Sequence, residues 1–209
     1  MVSASGLSNG PSPVELSAEY RAEQVEALAR LAVTPISETP SVSAWRRAFS
    51  AFGVKPTQYR SAVEALLRRL DKSGDIPAIN TLVDIGNLVS IRYAVPVAVL
   101  DLSSLSVPVT VRFATGTERF VDLGSGEEQH PEPGEVIFVD QAGHVCARRW
   151  CWRQSAPSAT GAETTAALFT IEALHHDAAH DVASATDDLV SLLSRHLPRS
   201  QTTSYRLPS

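Results

Sequence analysis

Residues 79–90 read INTLVDIGNLVS, and most of them are apolar. Asn80, Asp84 and Asn87 interrupt this run at steps of four and three, which places them along one side of a helix. A buried polar group without a partner costs about 1–3 kcal/mol. The stretch therefore predicts a helix whose polar side either bonds neighbouring backbone or faces a pocket. For Asp84 the structural interpretation is favoured, whereas Asn87, one turn from Ser90, leaves both interpretations open.

Further helices are predicted on the N-terminal side of this stretch. Apolar residues near helical spacing indicate helices over residues 13–31 and 45–52. The segment SAVEALLRRLDKSG has stronger signals: Ser61 is positioned to cap a helix, Glu64 would complete a capping box, and Gly74 would end it. The first half of the chain is therefore expected to be helical.

The sequence pattern changes after the polar helix. Short apolar or alternating runs bounded by turn residues predict strands, and a final helix follows over residues 177–196. Helices, then strands, then a closing helix indicate an α+β or mixed α/β fold with a central, mostly antiparallel or mixed sheet flanked by helices. The predicted organisation is a disordered tail over 1–14, a helical extension and linker over 15–40, one domain over 41–198 and a tail over 199–209.

Composition limits the class of protein. The chain has 209 residues, of which 44% are hydrophobic and 20% charged, as in a soluble globular protein. No run of about 18 apolar residues is present, and the first twenty residues do not resemble a secretory signal. Cys146 and Cys151 lack the spacing of a zinc site and are expected to be reduced cytosolic thiols. We therefore expect a cytoplasmic protein.

A basic run lies within this acidic chain, whose net charge is −5. That charge argues against a general nucleic-acid binder but leaves room for a local basic face. Such a face would attract an RNA backbone in a salt-dependent way; the alternative is a solvated helix face. The candidate tRNA-binding residues are Arg46, Arg47, Arg60, Arg68, Arg69 and Lys72.

The segment ARRWCWRQS, residues 147–155, contains two tryptophans separated by one residue. On a strand, Trp150 and Trp152 would share one face, and their rings could stack a base or pack on a substrate. Arg153 beside them could hold a phosphate. The alternative is that both rings fill the core, and the segment alone favours that alternative.

Glu172 interrupts the apolar run LFTIEAL, where an unpaired charge would be costly. It is expected to join a buried network or to face a cavity. His175, His176 and His180 follow closely, but scattered imidazoles do not form a ligand set. We therefore predict no metal and no cofactor. The sequence also lacks a Walker A motif, a GxSxG motif and a Rossmann fingerprint.

These residues together resemble a known family. The stretch NTLVDIGNLVSIRYAVPVAVLDLSSL is similar to part of the B3/B4 domain of the bacterial phenylalanyl-tRNA synthetase β subunit. The stretches GEVIFVDQAGHVCARRWCWRQS and ETTAALFTIEA resemble its later part. Freestanding B3/B4-domain proteins are more similar still, although they begin with a strand that this N-terminus is not expected to form. The resemblance covers residues 42–197.

The resemblance implies an editing site, because the B3/B4 domain of the synthetase hydrolyses wrongly charged tRNA. The family's asparagine falls on Asn87 and its glutamate falls on Glu172, which are thereby the candidate catalytic residues. The family's pocket histidine is replaced by Ala98, which puts the amino-acid specificity in doubt. The other candidate pocket residues are Asn80, Ser90, Trp150, Trp152 and Arg153.

The predicted function is a deacylase that acts in trans on mischarged or non-standard aminoacyl-tRNA. Its partner would be an aminoacylated tRNA, and no membrane is involved. Asn87 would orient the substrate carbonyl or the attacking water, and Glu172 would bind a polar group of the amino acid. Two alternatives stay open: a non-catalytic module that binds RNA or a protein, and a pocket for a free amino acid.

Overall fold

The computed structural model describes residues 1–206, which contain helices and strands in alternating blocks. The helices are α1 (Val14–Val33), α2 (Pro40–Ala51), α3 (Ala62–Ser73), α4 (Thr81–Tyr93) and α5 (Ala178–His196). The strands are β1 (Val2–Ser5), β2 (Val97–Asp101), β3 (Thr110–Phe113), β4 (Phe120–Val121), β5 (Glu128–Gln129), β6 (Val136–Val139), β7 (Val145–Arg148), β8 (Arg153–Gln154), β9 (Ala166–Ile171) and β10 (Gln201–Ser204). None of the helices in this part of the chain combines the length and apolar character needed to cross a membrane.

The strands of residues 1–206 form two four-stranded sheets and a small hairpin. The first sheet has the order β10-β1-β9-β2 and the second the order β3-β6-β7-β8, and β4 pairs with β5. All of these strand pairs are antiparallel. The predicted fold class, α+β with a mostly antiparallel arrangement flanked by helices, is confirmed, with two sheets where one central sheet was expected.

Both predicted tails contain a strand of the first sheet, so the prediction of a disordered start was wrong. Strand β1 lies between β9 and β10, with Val2 opposite Phe169 on one side and Ser204 on the other. Val2 and Ala4 are fully buried. The sequence VSAS is too short to predict a strand locally, and it becomes one because two distant segments supply its hydrogen bonds.

Helix α1 is part of the main core and not an extension beside it. Leu16, Tyr20 and Ala27 are buried in the same cluster as Ile85 and Leu88 of α4. Arg92, from the last turn of α4, further connects α4 to α1 through its hydrogen bond of 2.7 Å to Glu23. The predicted division between a helical extension and a later domain therefore does not describe the packing.

Helix α4 packs tightly on the first sheet through Gly86. A Cβ atom at this position would lie 2.7 Å from the Cγ2 atom of Val99 in β2, closer than packed atoms approach. A helix turns about 100° per residue, so Asn80, Asp84 and Asn87 lie on the side turned away from Gly86. The polar side of α4 is thereby directed away from the sheet and toward α1.

Helix α3 begins as predicted but uses Glu64 differently. The Ser61 hydroxyl accepts a hydrogen bond from the backbone N–H of Glu64, and Gly74 ends the helix in the left-handed conformation. The Glu64 carboxylate does not complete a capping box. It is fully buried and accepts hydrogen bonds from Arg46 at 2.7 Å and Arg68 at 2.9 Å.

Candidate functional site

The two faces of the first sheet are used differently. Along β9, Phe169 and Ile171 pack into the core shared with the helices. Leu168 faces the second sheet, in a cluster with Leu100, Phe138 and other residues. Because side chains alternate along a strand, Thr170 and Glu172 point to the same side as Leu168. The second sheet therefore lies on the same side of the first sheet as the Glu172 side chain, and the helices pack on the opposite side.

A cavity opens on this side of the first sheet. Its empty volume is about 500 Å³, including the mouth that is open to solvent. Most of its wall is apolar, and Glu172 is the one acidic residue among the described residues that line it. The lining residues are Ala62, Pro96, Val97, Ala98, Leu100, Phe138, Ala147, Trp150, Cys151, Trp152, Arg153, Gln154, Thr170 and Glu172.

Glu172 is oriented by Trp150. The indole Nε1–H of Trp150 donates a hydrogen bond of 2.9 Å to Glu172 Oε1. The other carboxylate oxygen makes no hydrogen bond to residues 1–206. Burial raises the pKa of Glu172 above its ordinary value, whereas the Trp150 hydrogen bond and the positive charge of the Met1 amino group act in the opposite direction. The cavity thus contains a desolvated carboxyl group with one fixed and one uncommitted oxygen.

The turn between β7 and β8 carries both tryptophans, so the prediction that they share a face of a strand was wrong. Arg149 and Trp150 have φ angles of +45° and +63°, in the left-handed region that non-glycine residues rarely adopt. Each such residue costs about 1–3 kcal/mol and tends to occur at functional sites. This backbone places Trp150 in the cavity wall, and its ring packs on the buried Trp45 edge to face with centroids 5.4 Å apart.

Two polar residues in the cavity wall were missed by the sequence analysis. Thr170 is two residues before Glu172, and the period of two could have identified it. Gln154 donates from Nε2 to the carbonyl oxygens of Val99 and Ser158, each at 2.9 Å. These bonds fix its orientation and leave Oε1 with no hydrogen bond within residues 1–206. No local pattern indicated that Gln154 would reach the cavity.

Both cysteine thiols stay protonated at neutral pH. Burial, with the charge of Glu172 adding to it, raises the pKa of Cys151 well above its ordinary value. Burial raises the pKa of Cys146 to about 12. The thiolate is the nucleophilic form of cysteine. Cys151 therefore lines the cavity as a neutral, apolar group.

The candidate catalytic residue Asn87 and the candidate pocket residues Asn80 and Ser90 do not line the cavity, and the shared pocket of Asn87 and Glu172 is not formed. Asn87 is on α4 close to the Tyr20 hydroxyl, without the geometry of a hydrogen bond. It lies behind the first sheet, whereas Glu172 faces the cavity in front. Asn80 caps α4 by accepting from Val83 N–H at 3.0 Å, and the Ser90 hydroxyl donates to the Val95 carbonyl at 2.7 Å. The structural interpretation is confirmed for Asp84, which accepts from the backbone N–H of Ile79 at 2.9 Å and from Ser12 Oγ at 2.6 Å.

Trp150, Trp152 and Arg153 do line the cavity beside Glu172. Ala98 lines it as well, in register with Thr170 across β2 and β9. Its small side chain leaves open the space that a larger residue at this position would occupy.

The basic run is less free than its sequence suggests. Arg46 and Arg68 are committed to Glu64, and Arg47 donates to Ser43 Oγ at 2.9 Å. Arg60, Arg69 and Lys72 are exposed. RNA binding by this run stays a prediction.

The histidines after β9 do not converge. His175 pairs with Asp181 at 2.8 Å, whereas His176 is almost fully exposed. Within residues 1–206, no group of three His, Cys, Asp or Glu side chains has an arrangement that could hold a metal ion.

Comparison with known families accounts for this architecture. The family model of the B3/4 domain matches residues 44–199, so the chain belongs to the B3/4 domain family. The family prediction is thereby confirmed. No curated protein matches the chain.

Two solved structures show the extent of the structural likeness. An N-terminal fragment of the phenylalanyl-tRNA synthetase β subunit from Pyrococcus horikoshii is similar at a TM-score of 0.47 and 14% identity, over 58% of this chain and 40% of that one. The TILS C-terminal domain is similar at a TM-score of 0.32 and 20% identity, over 38% of this chain and 72% of that one. The present chain thus spans well under half of the synthetase fragment.

Proposed function

We propose that this protein hydrolyses the ester of an aminoacyl-tRNA and holds the amino acid in the cavity of Glu172. The observation that carries the proposal is the pairing of an apolar cavity with one carboxylate whose second oxygen is uncommitted. Apolar cavities with few, well-placed polar groups are typical of small-molecule sites. An amino acid esterified to RNA keeps its ammonium group, and Glu172 can accept hydrogen bonds from it.

Burial of Glu172 would strengthen its interaction with the ammonium group of the substrate. Charges interact more strongly in a medium of low dielectric than in water, and the Trp150 hydrogen bond limits the orientations of the carboxylate. The apolar wall would contact the amino-acid side chain, while Gln154 Oε1 offers a second acceptor. A cavity that binds both parts can hold the ester in one pose, which is a large contribution to catalysis.

Hydrolysis here requires no side-chain nucleophile. An aminoacyl ester is already activated, so a positioned water and stabilisation of the developing oxyanion suffice. The neutral Cys151 thiol is unsuited to attack. The Thr170 hydroxyl, on the same side of β9 as Glu172, can donate a hydrogen bond to the carbonyl oxygen or to the water.

Family membership supports a tRNA-linked substrate. The sequence resembles the synthetase's B3/B4 editing domain, and the resemblance aligns Glu172 with a family glutamate. Because Ala98 stands where the resemblance places the family's histidine, we expect the accepted amino acid to differ from that of family members with the histidine.

The test is hydrolysis of a panel of mischarged tRNAs, with each charged tRNA also supplied in an N-acetylated form. We expect hydrolysis of at least one free-amino substrate and little of its acetylated partner, which lacks the ammonium. Glu172→Gln should reduce the rate about 10- to 100-fold, because a hydrogen bond to a charged group contributes about 1.5–3 kcal/mol. Arg21→Gln, at an exposed residue of α1, is the matched control.

The non-catalytic binding module is the second candidate. The position of Asn87 behind the sheet favours it, because the cavity then lacks the residue that the resemblance assigned to catalysis. If wild-type protein clears no member of a broad panel yet binds charged tRNA, the hydrolase proposal is wrong and the binding module replaces it.

A further inference from the structure

Beside the cavity, two arginines lie against Trp152, and one of them also lies over Tyr59. The guanidinium of Arg149 lies 3.8 Å from the ring centroid of Tyr59 and 4.8 Å from that of Trp152. Arg153 lies 5.2 Å from the Trp152 centroid, and the two aromatic rings meet edge to face at 4.9 Å. Tyr59, Arg149, Trp152 and Arg153 are called the arginine–aromatic cluster below.

The arginines of this region differ in how they are paired, and Arg153 forms an ion pair with Asp122. Arg148 uses both carboxylate oxygens of Glu135, at 2.9 and 2.8 Å. Arg149 approaches the same carboxylate only to 3.5 Å, and its guanidinium donates no hydrogen bond within residues 1–206. Its side chain is only 12% exposed. Arg148 therefore takes the close contacts of Glu135, and the guanidinium donors of Arg149 make no hydrogen bond within the described residues.

The environment of Arg149 favours a negatively charged partner. Burial lowers the pKa of Arg149 and the charge of Arg148 acts in the same direction, whereas Glu135, Tyr59 and Glu132 act in the opposite direction. An anion on Arg149 would act in the same direction as Glu135 and would offset the net lowering of the pKa. The left-handed φ of +45° shows that the backbone is strained where it presents this side chain.

We propose that the arginine–aromatic cluster binds the 3′-terminal nucleotides of an RNA, with Arg149 on a phosphate and a base against the aromatic and guanidinium surfaces. The guanidinium fork matches the geometry of phosphate oxygens. Aromatic side chains that stack bases beside a positive charge are typical of single-strand binding. Trp152 and Arg153 belong to both the cluster and the cavity wall, so a bound terminal nucleotide would lie next to the cavity of Glu172.

This inference rests on the proposed function for the identity of its ligand, but its test needs no hydrolysis. An uncharged acceptor-stem RNA hairpin ending in CCA is compared with the same hairpin lacking CCA. Affinity is measured by fluorescence anisotropy at low and at physiological salt. We expect the CCA-ended hairpin to bind the wild-type protein more tightly. Arg149→Gln should weaken its binding roughly 10- to 100-fold with little effect on the truncated hairpin, whereas Arg21→Gln should change neither affinity.

A second measurement requires no variant. Adenosine monophosphate should compete with the CCA-ended hairpin, and adenosine and inorganic phosphate should each compete more weakly, because the cluster contacts both base and phosphate. Equal affinity for the two hairpins, or equal competition by adenosine and its monophosphate, would overturn the inference. Competition by inorganic phosphate alone would instead show a simple anion site and also overturn it.

The two proposals fail separately. Hydrolysis without any preference for CCA would leave the proposed function intact and remove the role of the cluster. A CCA preference without hydrolysis of any charged tRNA would remove the hydrolase and keep the cluster as an RNA-binding site.

Discussion

Trp150 and Glu172 join the two sheets of the protein through a hydrogen bond of 2.9 Å between Nε1 and Oε1. Trp150 belongs to the strained turn between β7 and β8, and Glu172 immediately follows β9. The bond fixes a carboxylate that burial makes harder to ionise. Burial disfavours the ionised form of a carboxyl group. A cation bound beside Glu172 would stabilise that form, so the arrangement suits a carboxylate that binds a positively charged group.

Glu172 should make stability depend on pH. Its pKa is higher in the folded protein than in the unfolded chain, so its contribution to stability is present below the ordinary value of 4.5 and is lost as pH rises through the folded pKa. The glutamine side chain of the Glu172→Gln variant cannot ionise, so the variant should not lose this stability as pH rises. Thermal melts of both proteins from pH 4 to pH 8 should show the variant gaining relative stability toward pH 8. Parallel curves would contradict the direction of the shift.

Trp150→Phe should move the acidic limb of the pH–rate profile to higher pH. The Trp150 hydrogen bond holds the pKa of Glu172 down, and phenylalanine retains an aromatic ring without the donor. If the ionised carboxylate binds the substrate, the rate should rise through a higher pKa in the variant. The rate of uncatalysed ester hydrolysis must be subtracted at each pH. An unchanged limb would show that Glu172 does not act in its ionised form.

Asn87→Ala should leave the rate of deacylation unchanged, in contrast to the large loss expected if Asn87 contacted the substrate. The residue lies on α4 beside Tyr20, on the opposite side of the first sheet from Glu172. The comparison is made at a temperature where circular dichroism shows both proteins folded. A loss of about 100-fold or more, the scale for one oxyanion donor, would place Asn87 back at the reacting ester.

Ala98→Phe should block the cavity and abolish hydrolysis while the protein stays folded. Ala98 faces the cavity across from Thr170, so a phenyl ring would occupy the substrate space. The cost in unfolding free energy should be about 1–3 kcal/mol or less, because the ring enters open space. Ala98→Ser, which adds one oxygen, is the matched control and should retain activity. Full activity of Ala98→Phe would place the substrate elsewhere.

Substitutions in the basic run should distinguish arginines that stabilise the fold from arginines that lie on the surface. Arg68→Glu removes a partner of the buried Glu64 and should lower the free energy of unfolding by about 1 kcal/mol or more. Arg69→Glu, at an exposed neighbour, should change stability by less than about 0.5 kcal/mol. Urea unfolding measures both.

The same two variants, with Lys72→Glu added, test RNA binding by the run. If the exposed residues attract tRNA, Arg69→Glu and Lys72→Glu should weaken binding and reduce its dependence on salt. Unchanged binding would leave the run as a solvated helix face.

The sequence by itself determined the elements whose signals are local. The start of α3 at Ser61 and its end at Gly74 follow from capping chemistry within a few residues. Helix α5 follows from its apolar spacing, and the α+β class follows from the order of the elements. The motifs were also sufficient to identify the B3/4 family. The capping and spacing signals come from residues that are close together in the sequence.

Tertiary structure alone decided the partners of those elements. Val2–Ser5 becomes a strand because β9 and β10 flank it, and Glu64 is held by Arg46 and Arg68 instead of its own helix start. The polar side of α4 faces α1 because Gly86 is the position that can approach the sheet closely. Asn87 is thereby separated from Glu172, whose own partner, Trp150, comes from the second sheet. A periodic pattern shows which side chains share a face, but the direction of that face depends on packing between segments far apart in the chain.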